Sequence, residues 1–272
     1  MKCNKIIVVR GGGDIASGTI QKLHRSGFSV LVLETEAPAA IRRKAAFSEA
    51  VYEGSWIVED IKAVKVNNMD EIASCFNEGL VPVLVDPYCN IIPVIKPLAV
   101  VDAILAKKNL GTSKNMAPIT IGLGPGFTAG KDVHIVIETK RGHNLGRLIF
   151  NGCAAENTGI PGNILGYTSE RVVYSPSDGI IENMREIGNL VYRGELLAMV
   201  SSEQIVAPID GILRGIIRSR CRVSKGIKLL DIDPRIDEPD NYRTISEKAR
   251  NIAGGVLEAV LYMINKETQK EE

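Results

Sequence analysis

Two groups of residues in this 272-residue chain have the types and spacing to do chemistry. The first follows the apolar run Ile6 to Val9, where Arg10 leads into Gly11, Gly12, Gly13, Asp14, Ile15 and Ala16. Gly11-x-Gly13-x-x-Ala16 fits the G-x-G-x-x-G/A spacing. Its first glycine permits a tight turn, its second lets backbone approach a pyrophosphate, and its small third residue lets helix and strand pack closely. The N–H groups that open the next helix favour an anion, and Gly12 and Asp14 sit among them. Glu34 lies about twenty residues on, where an acid could hold ribose hydroxyls. Arg42 and Arg43, followed by Lys44, form a basic triplet able to take a phosphate. The plainer alternative for that triplet is a solvated loop or helix face.

The second group lies between Pro118 and Gly166. The stretch GLGPGFTAG holds four glycines and one proline in nine residues. That costs too much chain entropy to be filler, so it reads as backbone brought close to a ligand or partner, with Gly124, Gly126 and Thr128 as contacts. Asp132, His134, Glu138, Arg141 and His143 crowd behind it. Glu138 and His143 are the candidate acid and base. Asp132 and His134 are weak metal candidates, and they share parity with Glu138 along an unbroken strand. Structural hydrogen bonding is the plain alternative for all of them. His24 is read as a surface or packing residue.

The elements that must position these groups alternate. Apolar runs Ile6 to Val9, Val30 to Leu33, Ala63 to Val66 and Leu80 to Val85 read as buried parallel strands. Helical spacing covers the segment after Gly13, Asp70 to Phe76, and Leu98 to Lys107; Phe47, Val51 and Tyr52 form a short helical face. The expected fold is therefore an α/β Rossmann-like domain over 1–112, then a glycine-rich middle segment over 113–172 with a strand at Val133 to Ile137. Next comes an internal repeat. Pro176-x-Asp178-Gly179-Ile180 returns as Pro208-x-Asp210-Gly211-Ile212, Val191-x-x-Gly194 as Val223-x-x-Gly226, and Leu197 as Leu229, each offset by 32 residues. Such a repeat predicts a small two-half β domain over 173–235. It resembles the barrel-sandwich hybrid of biotinyl and lipoyl carriers. The joining residues Val200 to Ile205 contain no lysine, so covalent biotin or lipoate is not expected and a docking or scaffolding module remains. Ser246 or Thr244 caps a closing helix within 236–272, with Ile252, Val256, Ala259, Val260 and Met263 on one face.

Hydrophobic residues make up 45% and charged residues 24%, with a net charge of +1. That near-neutral balance argues against a broad nucleic-acid or membrane surface. No apolar run is long enough to span a bilayer, and the N-terminal run is too short for a signal peptide. Five scattered cysteines, Cys3, Cys75, Cys89, Cys153 and Cys221, suit a reducing cytoplasm and argue against a disulfide framework. Cys153 is the one worth testing as a reactive thiol. Rossmann-like proteins often dimerise, so a homo-oligomer is among the expected partners, although no interface can be read from the sequence.

Taken together, VVRGGGDIASGTIQKLHRSGF, IRRKAAFSEAVYEG, GLGPGFTAGKDVHIVIETKRGHNLG, NTGIPG and DGILRGIIRSRCRVSKGIKLLDIDPR resemble the YqeB family, described as selenium-dependent molybdenum hydroxylase system proteins. The resemblance covers nearly the whole chain. It implies a cytosolic bacterial accessory protein that helps mature molybdenum hydroxylases carrying labile selenium, with the apo-hydroxylase as partner. The N-terminal part also resembles the Rossmann part of XdhC-type proteins, which help insert sulfurated molybdenum cofactor into xanthine dehydrogenase. No catalytic residue set comes with the resemblance. The leading expectation is a maturation factor that binds a phosphorylated pterin cofactor, a nucleotide, or both. Its rivals are an NAD(P)-dependent oxidoreductase, with Glu34 favouring NAD and His143 or His134 supplying a proton, and a non-enzymatic interaction scaffold.

Overall fold

The computed structural model describes residues 5–156, 159 and 161–271, with side chains to 266; Cys3 lies outside the described residues. Two compact units form. One comprises Met1–Pro38, Phe47–Asn157 and Ile245–Glu272, the other Ala39–Ala46 and Thr158–Thr244.

The first unit begins with strand β1 (Ile6–Arg10), helix α1 (Asp14–Arg25) and strand β2 (Ser29–Glu34). A four-residue helix α2 (Ala50–Glu53) leads to β3 (Ser55–Val58) and β4 (Ile61–Val66). Helix α3 (Met69–Asn77), β5 (Val81–Val85), a second four-residue helix α4 (Ile92–Ile95) and β6 (Ala99–Asp102) follow. The middle of the chain adds β7 (Ile119–Leu123), β8 (Thr128–Ala129), β9 (Ile135–Ile137), β10 (Leu148–Ile149) and β11 (Gly152–Cys153). Helix α5 (Glu247–Glu271) closes the unit.

Nine of these strands make one sheet in the order β10-β9-β7-β6-β1-β2-β5-β4-β3. The seven inner strands are parallel, while β10 and β3 run antiparallel at the edges. Ile7, Val9, Val30 and Val32 face one side with α1 and α5; Val8, Leu31, Leu33 and Val100 face the other with α3 and α4. Burial on both faces is why these strands read as unbroken apolar runs.

This architecture corrects the expected fold class of a Rossmann-like domain followed by a separate glycine-rich segment, a barrel-sandwich hybrid and a closing helix. The sheet is large and mixed, and it continues through β7, β9 and β10 of the supposed middle segment. Only α1 and α3 are sizeable helices between its parallel strands; α2 and α4 are single turns. The closing helix packs along α1 within the same hydrophobic core. Leu98 to Lys107, expected as a helix, instead supplies β6. Its Ala99, Val100 and Val101 are fully buried between β1 and β7, and two-sided burial overrides the helical preference of alanine and leucine.

The second unit contains β12 (Val172–Tyr174), β13 (Gly179–Asn183), β14 (Leu190–Val191), β15 (Leu196–Val200), β16 (Glu203–Val206), β17 (Gly211–Ile216), β18 (Arg222–Val223) and β19 (Lys228–Asp233). They form two four-stranded antiparallel sheets, β12-β19-β17-β14 and β16-β15-β13-β18. The 32-residue repeat explains the pattern. Strands β13, β14 and β15 of the first half correspond to β17, β18 and β19 of the second, and each half lends its short middle strand to the other half's sheet. Ile181, Val191 and Leu197 are buried, as are their equivalents Leu213, Val223 and Leu229. The unit also takes in residues on either side of 173–235: Arg42 donates to the carbonyls of Asn241 (2.9 Å) and Thr244 (3.0 Å). Buried Asp233 is held by Arg235 at 2.7 Å and faces Arg214 at 3.7 Å. Burial alone would raise its pKa, but these arginines hold the carboxyl below the usual range.

Helix α5 is fixed at its start. The Ser246 hydroxyl accepts the Ala249 N–H at 3.2 Å, an N-terminal cap. Glu59 accepts from Gln21 of α1 (2.7 Å), from the Ile245 N–H (3.0 Å) and from Arg250 (2.8 Å). Helices α1 and α5 touch at Gly18, where a Cβ would stand 2.8 Å from the Ala249 carbonyl oxygen. Gly18→Leu should therefore force the helices apart and cost about 1–3 kcal/mol by overpacking, read as a lower urea midpoint. An unchanged midpoint would contradict the close crossing.

Candidate functional site

Strand β1 delivers the three glycines to the C-terminal edge of the sheet, and each glycine does a different job. Gly11 has φ +90°, continues the ladder by donating to the Leu33 carbonyl at 2.8 Å, and would place a Cβ 3.1 Å from Ile104 Cα. Gly12 would place a Cβ 2.9 Å from the Ser48 backbone nitrogen, and its carbonyl accepts the Ser48 N–H at 2.9 Å. The backbone of 11–12 is thus wedged between two neighbouring segments. Gly13 differs: it precedes α1 with φ −64°, and a Cβ there would meet nothing within 4 Å. Gly13, at the N-cap, has no side chain with which to cap α1, and the start of a helix favours an anion. Asp14 sits in the first turn, and Ala16 is only 1% exposed in the core.

Glu34, at the end of β2, turns back onto this loop. One carboxylate oxygen accepts the Gly12 N–H at 2.7 Å and the other accepts the Thr35 N–H at 2.9 Å. Burial raises its pKa above the usual carboxylate value, while those two N–H groups pull the other way. Beneath the loop, buried Arg10 donates to Asp102 (3.1 Å), to the Thr112 hydroxyl, and to the carbonyls of Pro87 and Leu110 (3.2 Å each). Asp102 also accepts from Thr112 at 2.6 Å. This network locks the ends of β1 and β6, and its charge is spent internally.

The polar groups of the middle segment have mostly structural roles. Glu138, 6% exposed, accepts the Lys140 N–H at 2.7 Å and the Ala155 N–H at 2.8 Å, stapling two loops. His143 is exposed in the adjoining turn, and no hydrogen bond joins it to Glu138. Asp132 accepts the Thr128 N–H at 2.8 Å, and the His134 ring meets the Thr120 hydroxyl at 2.8 Å. Among the described residues no cluster of three or more His, Cys, Asp or Glu could hold a metal ion. Gly124 (φ +77°) would set a Cβ 2.5 Å from the Thr139 hydroxyl, and Gly126 (φ +112°) one 2.7 Å from the Lys108 nitrogen. Much of this glycine content therefore serves tight packing. The exposed Cys153 thiol lies 3.4 Å from the Thr128 hydroxyl. Arg42 and Arg43 belong to the second unit, where Arg43 donates to the Ile216 carbonyl at 2.9 Å.

Sequence reasoning missed two residues. Lys248, in the first turn of α5, is half-buried. Burial and then Arg141 hold its pKa below the usual lysine value, with Asp14, Glu138 and Glu247 acting in the opposite sense. The α1–α5 crossing at Gly18 and Ala249 is what brings this ammonium within reach of the charge on Asp14 at the start of α1. Ser48 is the other. Its side chain is fully buried beside Gly12, and its hydroxyl has no hydrogen-bond partner. Neither signal was readable locally, since both arise from segments distant in sequence.

With this geometry in hand, the chain can be compared with known proteins. No family model matches it. It is 48% identical over 262 residues to the Uncharacterized protein YqeB of Escherichia coli (strain K12), a match covering 96% of this chain. The chain is a relative of YqeB. That similarity supports the YqeB family resemblance, although the chain spans about half the length of the curated relative, 48% of it. Among solved structures, the product-bound ectoine utilization protein EutE (DoeB) from Ruegeria pomeroyi aligns over 84% of each chain with 13% identity and a TM-score of 0.26. A succinylglutamate desuccinylase from Silicibacter sp. TM1040 aligns over 84% of this chain and 86% of its own, with 12% identity and a TM-score of 0.22. At these TM-scores neither alignment bears on the site.

The two neighbouring glycines should respond oppositely to the same methyl group. Gly12→Ala pushes on the Ser48 backbone and should cost about 1–3 kcal/mol, whereas Gly13→Ala should stay within about 1 kcal/mol of the parent. Chemical denaturation of the pair measures both. Equal losses would contradict the distinction drawn between a wedged and an open glycine.

Proposed function

We propose that this chain is an accessory protein that holds a phosphorylated cofactor, either a nucleotide or the molybdopterin cofactor, and delivers it to a selenium-dependent molybdenum hydroxylase. One observation carries the ligand half of this reading: the uncapped start of α1 on the C-terminal edge of the sheet, with nothing where a Gly13 side chain would stand. The N–H groups that open a helix and the helix dipole favour a phosphate there. The terminal phosphate of molybdopterin and the pyrophosphate of a dinucleotide would be held by the same donors. Lys248 supports the reading with a partly desolvated ammonium, a point charge suited to phosphate. The hydroxylase half extends the YqeB relationship.

The rival NAD-dependent oxidoreductase draws less support. It needs Glu34 for ribose hydroxyls, and both Glu34 oxygens already accept backbone N–H groups. It also needs a histidine proton donor, and the His134 ring is engaged by Thr120.

The test uses the chain purified without added cofactor, with mass spectrometry of the small molecules it retains. Wild type should carry a phosphorylated nucleotide or pterin. Gly13→Trp, whose backbone angles and open surroundings accept a side chain, should lose it while keeping its melting temperature. Equal retention by wild type and Gly13→Trp, or retention of unphosphorylated molecules only, would contradict the proposal.

A further inference from the structure

We infer that Glu34 is a built-in competitor for the anion at the glycine loop, so that ligand binding at this loop is coupled to uptake of a proton. The inference deepens the anion-site reading above and rests on it. The loop in this structure already holds an oxyanion, and it is the chain's own: a Glu34 carboxylate oxygen lies 2.7 Å from the Gly12 N–H. A glycine loop offers that kind of backbone donor to a phosphate. A second anion arriving at α1 must therefore meet the Glu34 charge or displace it. Like charges this close repel strongly in a desolvated site, as paired carboxylates do.

A further observation supports a contest at this position. Burial holds the Glu34 carboxyl above the ordinary carboxylate range, which brings its neutral form closer to accessible pH. The neutral carboxyl carries no charge to repel the ligand and accepts the Gly12 N–H more weakly.

The other charged groups around Glu34 are accounted for. Arg10, at the end of β1, donates to Asp102, Thr112 and two carbonyls. Asp86, beyond β5, donates its N–H to the Glu34 carbonyl at 3.0 Å, and its carboxylate accepts from Asn90 and the Ile91 N–H. Asp14 opens α1, and Glu36 follows two residues after Glu34. None of these appears among the causes that raise Glu34, so burial dominates. The sign follows: a raised carboxyl pKa means protonation, and with it ligand affinity, increases as pH falls through that value.

Sulfate is the probe, because it does not titrate in the range where Glu34 does. Its affinity for the full chain is measured by equilibrium dialysis with radiolabelled sulfate between about pH 5 and about pH 8. Wild type should bind roughly tenfold more tightly for each unit of acidification over the Glu34 titration. Glu34→Gln and Glu34→Ala should bind with no such slope, Glu34→Ala as tightly at the alkaline end as wild type does at the acid end. A slope that persists in both variants overturns the competitor, and so does a flat wild type; both outcomes leave the anion site standing. Failure of all three proteins to bind sulfate at any pH overturns the anion site and the competitor together.

Discussion

The arrangement depends on one steric constraint: the backbone of Gly11 and Gly12 passes between the segments at Ala103–Ile104 and Phe47–Ser48, where a Cβ on Gly12 would clash and Gly11 is crowded and held at φ +90°. That passage puts the first turn of α1 at the sheet's C-terminal edge and leaves Gly13 facing open space. A side chain at residue 11 or 12 would push the loop outward and lift the helix from the position in which its N–H groups converge.

Around this passage the charged residues divide into those spent on structure and those left for chemistry. Arg10, Asp102 and Thr112 satisfy one another inside the sheet edge, and a buried pair of this kind is costly to break from one side. Asp86, Glu138 and Asp132 each accept backbone N–H groups and tie loops together. What remains near the start of α1 is Glu34, held on Gly12, Asp14 in its first turn, and Lys248, brought in by α5. The two carboxylates oppose an incoming anion and the ammonium attracts it.

Much of the core was legible in the chain. The runs Ile6 to Val9 and Val30 to Leu33 announced parallel strands because a strand buried on both faces has no polar alternation. The 32-residue repeat was equally readable; of its matched pairs, Val191 with Val223 and Leu197 with Leu229 are buried in both halves, while Ile180 is exposed and Ile212 buried. The fold class was not legible. Nothing local in Leu98 to Lys107 distinguishes a strand from a helix; its placement between β1 and β7 decides. Nor does local spacing reveal that the glycine-rich segment extends the same sheet through β7, β9 and β10. At the site, Gly13 and Glu34 could be picked out by spacing, but the Glu34 bond to Gly12 could not. Of the two readings open for the middle-segment acids, the hydrogen bonds of Asp132 and Glu138 to nearby backbone N–H groups match the structural one, as polar side chains in glycine-rich loops often do. Lys248 and Ser48 entered only through long-range packing.

The most direct measurement is an amide nitrogen–proton correlation spectrum of the labelled chain titrated with inorganic pyrophosphate. The account predicts saturable shifts concentrated on the amides of Gly13, Asp14 and Ile15, with a smaller response around Lys248. Saturable shifts elsewhere on the chain, with these three amides unmoved, would contradict it.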